Sequence, residues 1–90
     1  MARAKKHNHQ GAINDYTAAI DMPGIPASVK AMALYNRAVM HVAAGDRSKG
    51  MDDLDAVLAM GGTFVNVKSM ARHKLAMMKS RSSNAKPRKH

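Results

Sequence analysis

The residues able to do chemistry are few and scattered. His7 and His9 stand two apart, a spacing that in an extended strand turns both imidazoles to one side for a metal ion. Two ligands without cysteine or a neighbouring acid make a poor site, and His41, His73 and His90 lie far along the chain. Asp46, Asp52, Asp53 and Asp55 are crowded together, and their simplest role is to place negative charge at the N-terminal end of a helix, where the helix dipole favours it. They form neither a Ser-His-Asp pattern nor a paired-carboxylate one. Gly61-Gly62 lacks the lysine and hydroxyl of a phosphate-binding loop and reads as a turn. Without cysteine, thiolate catalysis, cysteine-bound zinc and disulfides are all excluded. The expectation is a chain that is not an enzyme and that uses no cofactor and no metal.

Composition says which elements carry the surfaces that remain. Hydrophobic residues make up 46% of the 90, yet aromatics only 3%, and Ala, Val, Leu and nine Met dominate. Most of these are good helix formers, whereas a strand-rich domain would carry more Ile, Thr, Tyr and Phe. An all-α fold is expected. The net charge of +9 is unevenly spread: residues 1–14 carry +3, residues 15–55 carry −2 and include every acid, and residues 56–90 carry +8. No stretch approaches the roughly 20 apolar residues that span a bilayer. Met1 to Gln10 is basic with no apolar segment behind it, unlike a secretory signal. A cytoplasmic protein with no membrane partner is expected.

The sharpest signal is an internal repeat of 38 residues. Val29-Lys30-Ala31-Met32-Ala33 returns as Val67-Lys68-Ser69-Met70-Ala71, and ten of the 31 positions from Ala12 to Val42 are identical at that offset, without a gap. Residues 38 apart are therefore expected to occupy equivalent environments. Within each unit the apolar spacing is helical, as in Ile13, Tyr16, Ala19, Ile20 and in Met51, Leu54, Val57, Leu58. Pro23-Gly24-Ile25-Pro26, Gly45-Asp46 and Gly61-Gly62-Thr63 break the pattern. Four helices are predicted, roughly over 8–22, 27–44, 46–60 and 64–79. The polar ends are expected to stand apart, residues 1–7 as a flexible basic segment and residues 80–90 as a disordered basic tail.

The stretch Leu34-Tyr35-Asn36-Arg37-Ala38, then Gly45-Asp46, then Asp53-Leu54-Asp55-Ala56-Val57-Leu58 resembles one tetratricopeptide repeat. In that family two antiparallel helices carry a bulky residue (here Leu34), a small residue at their crossing (Ala38) and a Gly-Asp turn. The second helix then carries a small, a large and a small residue (Gly50, Leu54, Val57). The resemblance covers residues 11–78. It implies a short solenoid of stacked hairpins holding one complete repeat between the second helix of a preceding repeat and the first helix of a following one. Arg37, His41 and Arg72 depart from the family pattern, and the period exceeds the family's usual length of about 34. Lys68, Arg72 and Lys79, at helical spacing on the last helix, look like the polar outer face of a cap.

The resemblance further implies a protein-binding scaffold whose concave face is lined by the first helix of each repeat. Carried onto this chain, that face is Met32, Tyr35, Val39 and Val42 with Met70, His73 and Met77; Asn36 is a candidate for bonding a ligand backbone. Unbranched, polarizable methionine suits a surface that adapts to varied apolar ligands. The same methionines equally suit gap-filling between helices. Two other roles compete with peptide binding. One is nucleic acid or another polyanion at the basic C-terminal third, through Lys74, Lys79, Arg81, Lys86, Arg88 and Lys89. The other is a homodimer through an exposed Ile13, Tyr16, Ile20 face on the first helix.

Overall fold

The computed structural model describes residues 2–61 and 65–85, with side-chain surroundings from His9 to Ser80 outside 62–64. Four helices follow one another: α1 (Ala2–Ile20), α2 (Ala27–Ala43), α3 (Arg47–Ala59) and α4 (Val65–Ala85). No strand occurs among the described residues, so the chain is all-α. None of these helices is long and apolar enough to cross a membrane.

The breaks act as their residue types dictate. Gly24 and Gly45 take positive φ, 78° and 95°, a region that costs a residue with a Cβ. After α2, the amide of Gly45 donates to the Val42 carbonyl and that of Asp46 to the His41 carbonyl, a Schellman closure. Asp46 then caps α3, its Oδ1 accepting from the Lys49 amide at 3.2 Å. One two-residue device thus ends one helix and starts the next.

Both outer ends extend further into helix than their charge suggested. α1 begins at Ala2, not near Asn8, because Ala2-Arg3-Ala4-Lys5-Lys6 contains only good helix formers and no breaker. α4 continues past Lys79 to Ala85, the last residue described, because Ser80 to Ala85 contains no proline or glycine to break it. Polarity alone does not stop a helix. The part of the expected tail after Ala85 lies outside the described residues, as does Phe64, the predicted start of α4.

α2 is the hub. It packs against α1, α3 and α4; α3 packs also on α4, and α1 meets α2 alone among the described helices. Leu34, Ala38, Leu54, Val57, Ala71, Leu75 and Met78 form the core, spaced by three and four along α2, α3 and α4. Ile20, Tyr35 and Val42 pack against it half-buried. The molecule is only 17 Å across its thinnest dimension, less than two helix diameters of about 10 Å. Few side chains can be covered on every side in such a slab, and Leu54 and Val57 are the largest that are.

The 38-residue equivalence holds on one side of the helices and fails on the other. Ala33 and Ala71 are both buried, and Met32 and Met70 are both exposed. Ala38, however, is fully buried while Ala76 is exposed, and buried Leu34 has exposed Arg72 as its counterpart. The reason is topological: Leu34 and Ala38 lie in the core that α2 shares with α3, and no described helix covers the corresponding side of α4.

The α2–α3 crossing is close enough to require glycine. A Cβ on Gly50 would lie 2.6 Å from Val42 Cγ2 and 3.1 Å from the Ala38 carbonyl oxygen, and Val42 is β-branched and stiff. Gly11, inside α1, meets nothing within 4 Å. The same substitution should therefore have opposite effects. Gly11→Ala should stabilise by roughly 0.5–1 kcal/mol through helix propensity. Gly50→Ala should lose about 1 kcal/mol, overpacking outweighing the same gain. Urea unfolding of both variants checks this; a gain at Gly50 would contradict the close crossing.

Candidate functional site

The polar centre of the molecule is a node built on Arg37, in the middle of α2. Its Nε and Nη2 donate to Asp53 Oδ2 and Oδ1 of α3, both at 2.7 Å, and its Nη1 donates to Thr17 Oγ1 of α1 at 3.0 Å. The Thr17 hydroxyl in turn donates to the Ile13 carbonyl at 2.8 Å. His41, one turn along α2 from Arg37, brings Nε2 to 3.8 Å from Asp53 Oδ2. One planar guanidinium thereby ties three helices together, using the fork geometry that lysine lacks. The hydrogen bond to Asp53 raises the Arg37 pKa above its ordinary value, against the opposing effect of burial.

These contacts correct the surface role expected of Asp53. Asp46 does cap α3, and Asp52 and Asp55 are exposed, but Asp53 is the one buried charged residue among those described, at 6% exposure. Its place follows from the period of the helix: Gly50, Asp53, Leu54 and Val57 are all buried along α3, so position 53 falls on the buried side. Arg37 was the available signal, since a second charge on the hub helix meets the requirement that a buried acid be paired.

Ile13, Thr17, Arg37, His41, Lys49, Asp52 and Asp53 line a hollow of about 460 Å³ between α1 and α3, which do not touch among the described residues. Its Arg37, Asp53 and Thr17 side chains already satisfy one another or the backbone. Both Asp53 oxygens are held by Arg37, and the Thr17 proton points at a carbonyl. Among the described residues no group of three or more His, Cys, Asp or Glu side chains gathers to hold a metal ion. Positions 7 and 9 belong to α1, where residues two apart do not share a face, so the strand geometry imagined for the two histidines does not arise.

A second hollow, about 280 Å³, lies between the α2–α3 turn and the second half of α4, lined by Val42, Gly45, Arg47, Lys74, Met77 and Met78. Arg47 Nη2 donates to the Met78 carbonyl at 2.9 Å and pins its rim. This hollow joins two of the residues proposed for a concave face, Val42 and Met77. The others divide by exposure. Met32 (38%), Met70 (41%) and Met77 (48%) present apolar surface to solvent, and His73 is exposed with them. Tyr35, Asn36 and Val39 are half-buried, and Tyr35 packs against the core. On α1, Ile13 is buried and Tyr16 and Ile20 are half-buried, so the face proposed for self-association is largely covered. Lys74 lines the second hollow and Lys79 is exposed, whereas the side chain of Arg81 and residues Lys86, Arg88 and Lys89 lie outside the described set.

The node makes a quantitative prediction. Asp53→Ala leaves a partly buried guanidinium without its carboxylate and should cost about 2–3 kcal/mol, the low end for a broken buried pair because Arg37 retains some solvent contact. Replacing both partners, Arg37→Met with Asp53→Leu, should come within about 1 kcal/mol of the parent. Thermal or urea unfolding of the two variants decides; a double variant no better than the single one would mean that the pair is not the source of the loss.

No family model matches this chain, and neither a curated protein nor a solved structure matches it, so a functional reading stands on its own residues and their geometry.

Proposed function

We propose that the chain is a protein–protein interaction module of the tetratricopeptide type, which takes a peptide or a partner helix on the face shared by α2 and α4. The observation that carries the reading is the exposure of Met32 and Met70. They hold equivalent places in the repeat, on two helices that touch each other, and each leaves its side chain in solvent while its neighbours Ala33 and Ala71 are buried. Methionine that merely filled a gap would be covered. An adaptable apolar row beside the Val42–Met77 hollow suits a partner rather than water.

The Gly45-Asp46 turn and the Ala38–Gly50 crossing support the same reading, because both agree with the hairpin on which the resemblance rests. Electrostatic binding of nucleic acid is the second reading, favoured by the absence of any acid in α4. The setting that goes with the first reading is cytoplasmic.

Salt and substitution separate the two. A partner captured from the source cells should lose at least tenfold in affinity with Met70→Asp, and less than about threefold between roughly 50 and 200 mM salt. A tenfold fall over that salt range, together with loss of binding on deleting residues 80–90, would transfer the function to the basic end. Sedimentation at two concentrations tests self-association directly: a mass that rises with concentration in the parent but not in an Ile20→Asp variant would establish the homodimer.

A further inference from the structure

α4 differs from the other helices in charge: from Val65 to Ala85 it contains no acidic residue. The described ion pairs all lie on α2, α3 and the turn between them, so the cations of α4 are not answered within α4 itself. Met70, Lys74 and Met77 stand at steps of four and three, which sets them in one row along the helix. Both methionines are exposed, and Lys74 and Met77 together enter the lining of the second hollow. The row therefore reads apolar, cationic, apolar, with an apolar-floored depression at one end.

We infer that this row seats an acidic, amphipathic segment of a partner protein, a large apolar side chain entering the hollow beside Met77 while a carboxylate pairs with Lys74. The inference rests on the interaction-module reading and names the chemistry of its partner. Charge complementarity selects the acid: residues 56–90 carry +8, so an acidic segment is drawn in while a basic one, or a second copy of this +9 chain, is repelled. The methionines and the hollow select against nucleic acid, whose phosphates use cations but gain nothing from an apolar floor. The described aromatic side chains that would stack bases, Tyr16 and Tyr35, are half-buried.

Fluorescence anisotropy with four labelled probes on the full chain tests this. The first is a short synthetic peptide with leucines at spacings of three and four and glutamates between them. In the second glutamine replaces glutamate, in the third alanine replaces leucine, and the fourth is single-stranded DNA of matching charge. The first should bind at least about tenfold more tightly than each of the others. It should weaken by about tenfold in Lys74→Glu and again in Met77→Asp, substitutions at a half-buried and an exposed position whose retained helicity is checked by circular dichroism. Equal binding of the glutamine peptide would overturn the acidic partner while leaving a peptide-binding face in place. Equal binding by the alanine peptide or the DNA would overturn it in favour of a plain polyanion site. Failure of all three peptides would overturn the inference, while the interaction-module reading is decided separately by the response of a captured partner to Met70→Asp.

Discussion

The structure hangs on the close approach of α2 and α3. Ala38 is covered completely, Gly50 has no room for a methyl group, and Val42 closes the gap between them. Because the backbones meet there, Leu54 and Val57 can reach the interior of a slab only 17 Å thick, and Arg37 can reach Asp53 with both arms of its guanidinium. Small residues at a crossing act by removing distance. They contribute little apolar area themselves, but they let larger neighbours bury theirs.

The node beside that crossing serves orientation more than net stability. Desolvating a charge pair costs nearly what its attraction returns, so Arg37 and Asp53 add little to ΔG when both are present. What they supply is direction. Two parallel hydrogen bonds fix the rotation of α3 about α2, and the third bond, to Thr17, extends the constraint to α1, which among the described residues packs on α2 alone. An apolar contact in the same place would tolerate sliding. Because α1 packs on α2 and not on α3 among the described residues, a hollow persists between α1 and α3, lined by Ile13 and by polar side chains.

Much of the fold could be read from residue spacing, because helix breakers are local. Pro-Gly-Ile-Pro separates α1 from α2 and Gly-Asp separates α2 from α3 within a residue or two of expectation, through positive φ and an N-cap that need no distant partner. The outer limits of α1 and α4 were less legible, since polar, helix-favouring residues do not announce whether a helix goes on. Asp53 was illegible by type, as one acid among four, and legible only by phase with Gly50, Leu54 and Val57. The repeat likewise promised more symmetry than exists. Identity at 38 residues marks a shared helix, but burial depends on what packs against it, and α4 lacks on one side what α2 has.

That asymmetry bears on where a ligand belongs. The larger hollow, on the α1–α3 side, has the Arg37–Asp53 pair in its lining, and a ligand competing for either of those charges would have to break hydrogen bonds of 2.7 Å to gain its own. The smaller one is lined by apolar Val42, Met77 and Met78 together with Gly45 and the cations Arg47 and Lys74. A ligand there displaces water from apolar surface and meets a charge whose counter-ion it can replace, so both contributions favour binding. Cavity size ranks the two in one order and free energy in the other, and free energy decides. The side of α4 where Arg72, Ala76 and Lys79 stand exposed, opposite in character to the buried Leu34–Ala38 side of α2, then resists a further apolar helix while leaving the Met70–Lys74–Met77 row open to a partner of opposite charge.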